Sequence, residues 1–222
     1  MPGKDITVRS REGGAFACYL VTPELDGPAP AIVLASTVRG VDADIRAIAD
    51  EFAAHGFFAA APDLFWRANG GARNPRSRVE QIQTGESDMA DTLAHLGTLA
   101  AFNGMAVAMG FCYGGPYAIL GPKRLGYAAG ISCHGSEMLH YVHALDGVDQ
   151  SLCILWGDQD HRAPIEVLDA YRVMPMRMKN LEVHVFPGVF HGYMMRGNPM
   201  AFDARARDFS MARALAMLGD LA

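Results

Sequence analysis

The chain has 222 residues, of which 50% are hydrophobic and 19% charged, and 19 Lys and Arg against 24 Asp and Glu leave a formal net charge of −5. This size and balance are typical of one globular domain, here expected over residues 1–222, and exclude a disordered chain. A mildly acidic chain without a basic run is also not expected to bind nucleic acid. Because no apolar stretch reaches about 18 residues and no signal peptide is visible, we expect a cytoplasmic protein without a membrane span.

Apolar runs of strand length alternate with helical patterns along the chain. Ile45, Ile48 and Phe52 recur at helical spacing, and Met211–Leu218 forms a second amphipathic pattern, whereas Trp66–Arg78 is rich in loop-forming residues. This alternation predicts an α/β fold, with a mostly parallel central sheet flanked by helices on both faces. The predicted strands are Phe16–Val21, Ala31–Ala35, Phe57–Ala61, Met105–Phe111, Ala128–Cys133, Leu152–Trp156 and Leu181–Phe186.

A glycine-rich segment follows the fourth of these strands. Gly110–Gly115 has the pattern Gly-x-Cys-x-Gly, which is typical of a nucleophile elbow with Cys112 as the nucleophile. Side chains at the flanking glycine positions would collide with neighbouring elements, and we expect the helix that follows to favour the thiolate. Taken alone, the same pattern fits a glycine-rich turn with a buried cysteine about equally well.

Two later loops supply partners for this cysteine. Asp158 and Asp160 follow the strand Leu152–Trp156, and His191 follows the last strand. Ligands of open α/β sheets bind at the carboxyl ends of the strands, where these side chains would meet. The chain order of nucleophile, acid and histidine is that of α/β-hydrolases, so the sequence favours a Cys-His-Asp triad.

The blocks that carry these residues resemble one family over nearly the whole chain. The chain is similar to the dienelactone hydrolase (carboxymethylenebutenolidase) family, which has the α/β-hydrolase fold. The elbow with cysteine and a double glycine is its most specific motif. The matching blocks are Ala29–Leu34, Gly56–Phe65, Gly110–Gly115, Gly157–Pro164 and Phe186–His191.

The resemblance implies a role for each residue of the triad. Cys112 would be the nucleophile, His191 the base and Asp160 the orienting acid, with Asp158 as the competing acid. The expected activity is hydrolysis of a small ester or lactone through a thioester, without a cofactor or a metal ion. The alternative is an altered member of the fold that binds a ligand or senses redox state. Either form is expected as a monomer or a homodimer.

The resemblance also implies an oxyanion hole formed by the backbone N–H groups of Tyr113 and Val38. The family has a glutamate where this chain has Thr37, and that glutamate takes part in activating the cysteine. A threonine hydroxyl cannot accept the proton, so His191 is expected to form a thiolate–imidazolium pair with Cys112.

Substrate-binding residues follow the family less closely. The family binds a substrate carboxylate with two arginines. Arg76 and Arg78, in the loop before a long helix, are possible counterparts of one of these family arginines. Met195 holds the position of the other, with Arg196 one residue further. His134, after the strand Ala128–Cys133, could also line the pocket.

Two remaining groups have simpler interpretations. Arg39 follows a strand and could steer an anionic substrate, but a solvated surface charge is the simpler interpretation. The histidines at positions 134, 140 and 143 match no zinc-binding spacing.

Overall fold

The structure, a computed structural model, describes residues 3–24, 27–68, 75–162 and 164–222, with the side chains of residues 75–83 outside this description. Eight strands are β1 (Lys4–Arg9), β2 (Ala15–Val21), β3 (Ala29–Ala35), β4 (Phe58–Pro62), β5 (Phe102–Phe111), β6 (Ala129–Cys133), β7 (Ser151–Gly157) and β8 (Leu181–Phe186). The helices are α1 (Ala43–Ala54), α2 (Pro75–Leu96), α3 (Gly115–Leu120), α4 (Ile165–Val173) and α5 (Ala204–Gly219).

All eight strands belong to one sheet, in the order β1-β2-β4-β3-β5-β6-β7-β8. β1 pairs with β2, and β2 with β4, in antiparallel fashion. The other five pairings, from β4 through β8, are parallel. The predicted α/β fold with a mostly parallel sheet is therefore confirmed, and the carboxyl ends of β3 and β5 to β8 meet at one edge.

Hydrophobic side chains cover both faces of the sheet, as β3 illustrates. Ala31 and Val33 pack on one face together with Met89 of α2. Ile32 and Leu34 pack on the opposite face, where the buried sides of α1 and α5 also lie. Because successive strand residues point to opposite faces, a strand covered on both sides is apolar throughout, as the sequence pattern predicted.

The helix predicted around Ile45 is α1. The side chain of Asp42 accepts hydrogen bonds from the backbone N–H groups of Asp44 and Ile45, both at 3.2 Å, and so caps the helix. Ile45, Ile48 and Phe52 are buried, as the helical spacing predicted.

Two elements differ from the prediction. β1 was missed because it is a polar edge strand in which only Val8 is buried. The predicted loop Trp66–Arg78 overlaps α2, which begins at Pro75, a residue favoured in the first helical turn. Arg76 and Arg78 therefore lie on the helix backbone and not in a loop before it.

Among the described helices, none is long and apolar enough to cross a membrane. The cytoplasmic location and the single domain over residues 1–222 stay predictions.

Candidate active site

Cys112 occupies a strained turn between β5 and α3. Its φ angle is 53°, in the left-handed region that residues other than glycine rarely adopt. A Cβ atom added at Gly110 would lie 1.9 Å from the carbonyl oxygen of Gly114, and one at Gly114 would lie 2.0 Å from that of Ala35. The glycines therefore permit the close backbone approach that turns Cys112 outward from the sheet edge, as predicted for an elbow.

The sulfur of Cys112 is surrounded by groups that favour a thiolate. Its Sγ lies 3.3 Å from Oγ of Ser136. Burial alone would raise the pKa of the Cys112 thiol, but the nearby His191, followed by the contacts with Ser136 and the Tyr113 backbone, lowers it below its ordinary value. Ser136 was not singled out in the sequence, because a serine three residues after a strand has no distinguishing pattern.

His191 contacts a buried carboxylate and lines the same cavity as Cys112. Its Nδ1 lies 2.8 Å from Oδ2 of Asp160, whose side chain is fully buried. Burial alone would lower the pKa of His191, but the hydrogen bond with Asp160, followed by the nearby Cys112, raises it to about 9. Nε2 of His191 is buried and has no hydrogen-bond partner among the described residues. The predicted thiolate–imidazolium pair stays a prediction.

The two acids of the β7 loop occupy different positions. Besides His191, Asp160 binds the backbone N–H of Arg162 through Oδ1 at 2.9 Å. Asp158 is exposed and accepts hydrogen bonds from the backbone N–H of Gly188 at 2.7 Å and from Gln159 at 3.1 Å. Asp158 therefore holds the loop after β8, and Asp160 is the acid that contacts the histidine.

A tight turn after β3 brings the main chain of Val38 to the site. Oγ1 of Thr37 accepts a hydrogen bond from the N–H of Arg39 at 3.1 Å, and the Gly40 N–H donates to the Thr37 carbonyl at 3.0 Å. The Thr37 hydroxyl thus maintains the turn. Val38 and Cys112 line the same cavity. The role of the Val38 N–H as the second oxyanion donor stays a prediction.

A cavity of about 240 Å³ opens beside the sulfur. Two cationic side chains reach it, Arg39 from the β3 turn and Arg162 from the β7 loop. Arg39 is more than half exposed and pairs with Asp42 at 3.1 Å, so it also has the surface character expected from the sequence. The residues that line the cavity are Thr37, Val38, Arg39, Cys112, His134, Arg162, His191, Gly192, Met195 and Asn198.

The arginines proposed from the family pattern are elsewhere. Arg196 is exposed and does not line the cavity, and its Nη2 lies 3.8 Å from Glu51. The side chains of Arg76 and Arg78 lie outside the described residues. Arg162 was missed as a cavity residue, although its place two residues after Asp160 was an available signal.

His134 forms part of the cavity wall. It is fully buried, has a positive φ of 39°, and its ring centroid lies 5.0 Å from that of His191, edge to face. Burial and the nearby His191 lower the pKa of His134 well below its ordinary value. His134 is therefore a neutral histidine that packs against His191.

A second group of similar side chains lies within the sheet. Ligand atoms of Cys153, Glu182 and His184 lie within 4.8 Å of one another. Both oxygens of Glu182 already bind Arg213, at 3.1 and 2.8 Å. Burial, followed by the charge of Glu182, raises the pKa of Cys153 to about 12. A buried neutral thiol is a poor nucleophile, and a carboxylate already paired with a guanidinium is a poor metal ligand.

Known proteins resemble this chain in sequence. The pattern of the dienelactone hydrolase family matches residues 16–221. The chain is 27% identical to carboxymethylenebutenolidase 1 of Cupriavidus pinatubonensis, over 97% of this chain and 96% of that protein. It is 23% identical to the carboxymethylenebutenolidase of Pseudomonas putida, with the same coverage of 97% and 96%.

Solved structures share the fold at low sequence identity. A dienelactone hydrolase-like promiscuous phosphotriesterase, P91 from metagenomic libraries, matches with a TM-score of 0.75 at 20% identity, covering 100% of this chain and 99% of that one. Esterase 2 of Thermogutta terrifontis matches with a TM-score of 0.76 at 17% identity, covering 100% and 95%. Sheet order and these likenesses define an α/β-hydrolase fold. Within that class, the chain belongs to the dienelactone hydrolase family and is a hydrolase.

Proposed function

We propose that this hydrolase cleaves small esters or lactones through a thioester on Cys112. One observation carries the proposal. The buried carboxylate of Asp160 contacts Nδ1 of His191, and His191 and Cys112 line the same cavity, which is large enough for a small acyl group. The lowered pKa of the Cys112 thiol and the raised pKa of His191 support a reactive thiolate–imidazolium pair.

Acylation begins with attack of the Cys112 thiolate on the substrate carbonyl carbon. The carbonyl oxygen becomes an oxyanion, which the N–H groups of Tyr113 and Val38 would stabilise. When the tetrahedral intermediate collapses, the C–O bond of the ester breaks and the leaving alkoxide takes the proton held by the His191 imidazolium. A thioester and a neutral imidazole remain.

Deacylation restores the resting pair. Neutral His191 takes a proton from water, and the hydroxide attacks the thioester carbon. Collapse of the second intermediate expels the Cys112 thiolate and releases the acid. Asp160 keeps the proton of His191 on Nδ1 throughout, so that Nε2 faces the reaction.

The nucleophile favours esters and lactones over amides. A thiolate is a better leaving group than an amine, so a tetrahedral adduct formed on an amide mostly returns to starting material. An alkoxide that receives the His191 proton departs readily, and water then cleaves the thioester.

Two arginines at the cavity favour an acyl group that bears a carboxylate. Arg39 and Arg162 approach the cavity from different loops, and the lining otherwise includes Met195 and Val38. Guanidinium groups are well suited to bind carboxylates. From the sequence we expected Arg76, Arg78 or Arg196 to bind a substrate carboxylate. We propose Arg39 and Arg162 for that role instead.

The nucleophile is tested by turnover of a panel of p-nitrophenyl esters and lactones by Cys112→Ala, with Cys153→Ala as the matched control. We expect the first variant to lose essentially all turnover while remaining folded, and the second to keep it. Turnover by folded Cys112→Ala would refute the proposed nucleophile. A wild-type protein that turns over none of these substrates would instead favour the ligand-binding or redox-sensing alternative.

A further inference from the structure

Ser136 touches the nucleophile twice. Its hydroxyl Oγ lies 3.3 Å from Sγ of Cys112. Its backbone N–H donates to the carbonyl oxygen of Cys112 at 2.8 Å. Ser136 is about 8% exposed. The second contact fixes the distance between the two main chains, so the hydroxyl is held near the sulfur by the backbone and not only by a side-chain rotamer.

The turn that carries Ser136 is strained on both sides. His134 before it and Glu137 after it have φ angles of 39° and 59°. Residues other than glycine adopt this region at an energetic cost, and such strain persists only where the surrounding structure enforces it. Gly135 permits close packing here, because a Cβ atom on it would lie 2.7 Å from Oγ of Ser132 and from Sδ of Met138.

We propose that Ser136 is a positioning residue for the nucleophile: its hydroxyl donates to the Cys112 sulfur and holds the resting thiolate toward His191. The inference rests on the proposed role of Cys112. A hydrogen bond to an anionic sulfur is much stronger than one to a neutral thiol or thioester sulfur. The hydroxyl therefore stabilises the thiolate before acylation, and this stabilisation is lost once the thioester forms.

This role has a signature that depends on pH. Without the hydroxyl, the thiolate forms at higher pH, so reaction slows wherever the thiol is partly protonated. Above the thiol pKa, the less stabilised thiolate is the stronger nucleophile, and reaction is at least as fast as in the wild type. Titratable or charged groups around these two side chains are His191, His134, Arg39, Arg162, Glu137 and His140, all retained in the variants below.

The test is the rate of iodoacetamide labelling of Cys112, resolved by mass spectrometry, between pH 5 and 10. For Ser136→Ala we expect about 3- to 10-fold slower labelling on the acidic limb and no loss at the alkaline plateau. Ser136→Thr should restore the wild-type profile. Ser132→Ala, which removes a nearby buried hydroxyl that has no hydrogen-bond partner among the described residues, should match the wild type. Ser136→Gly is a second variant without the hydroxyl, should Ser136→Ala fail to fold.

Two results would overturn the proposal. An unchanged pH profile of labelling in the variant without the hydroxyl would show that the hydrogen bond does not stabilise the thiolate. Labelling that is slower by the same factor at every pH would indicate a general disruption of the site. Labelling does not require turnover. A failure of the proposed function would appear as hydrolysis by Cys112→Ala, independently of the Ser136 result.

Discussion

Cys112 and Cys153 are chemically identical side chains with opposite surroundings. Burial by itself raises the pKa of both thiols. At Cys112 the contacts with His191 and Ser136 outweigh it and lower the pKa of the thiol. At Cys153, burial and then the charge of the anionic Glu182 outweigh the opposing effect of Arg213 and raise the pKa to about 12. Residue type alone therefore does not identify a nucleophile, and neither does a nearby histidine, since a ring nitrogen of His184 lies within 4.8 Å of the Cys153 sulfur.

The acid of the triad is testable by two neighbouring substitutions. Asp160→Asn should lower kcat on the order of 10³- to 10⁴-fold, because an amide no longer selects the working tautomer of His191. Asp158→Asn should lower kcat by far less, since the Asp158 carboxylate accepts hydrogen bonds from Gly188 and Gln159. The reverse ranking in steady-state kinetics would show that the two acids are misassigned.

The pH dependence of activity follows from the charge of the pair. His191 must hold a proton to give to the leaving alkoxide, and its pKa is about 9. Activity should therefore fall as pH rises through about 9, and it should fall at low pH as the thiolate is protonated. The Asp160 hydrogen bond raises the pKa of His191, so Asp160→Asn should move the alkaline limb of residual kcat/KM to lower pH. A limb that does not move would contradict this assignment.

The elbow shows how an element imposes geometry on a residue. β5 ends at Phe111, and Cys112 must reverse direction within one residue to enter the short turn before α3. A 3-10 turn (Cys112–Gly114), α3 and a π-helical turn (Gly121–Leu125) follow one another without a break, so Cys112 lies at the N-terminal end of a continuous helical segment. The contribution of this segment to the thiolate stays a prediction.

Gly114→Ala tests the elbow as a unit. The new Cβ would lie 2.0 Å from the Ala35 carbonyl oxygen, so the backbone must shift. We expect a loss of about 1–3 kcal/mol in the free energy of unfolding and a clear loss of kcat/KM. Gly219→Ala at the end of α5, where a Cβ meets nothing within 4 Å, should leave stability unchanged or raise it by about 0.5–1 kcal/mol.

Urea unfolding and kinetics on the same preparations check both variants. Equal stability and activity for Gly114→Ala and the wild type would show that the elbow is not tightly packed.

At the scale of the whole molecule, the site is assembled by loops that are far apart in the chain. Cys112, Asp160 and His191 could be predicted because each follows a recognisable strand within a motif. Arg39 was interpreted as a surface charge, and Arg162 had only its place two residues after Asp160 as a signal. Ser136 had none, because its proximity to Cys112 depends on how the loops pack at one sheet edge. β1 was missed for a different reason, since a polar edge strand lacks the apolar pattern of the inner strands.

The cavity arginines predict substrate preference. Arg162→Gln should raise KM for an ester with an anionic acyl group at least several-fold and leave the matched neutral ester nearly unchanged. Arg196→Gln is the control, because Arg196 lies outside the cavity wall and contacts Glu51. Equal effects on the two esters would remove the basis for an anionic substrate.

The central claim is that Cys112 forms the thioester, and the most direct measurement is mass spectrometry of the protein quenched in acid during turnover of a slowly deacylated ester. We predict one acyl group on the peptide that contains Cys112, formed in the wild type and absent in Cys112→Ala. Turnover without any acylated Cys112, or acylation of another residue such as Cys153, would contradict the account.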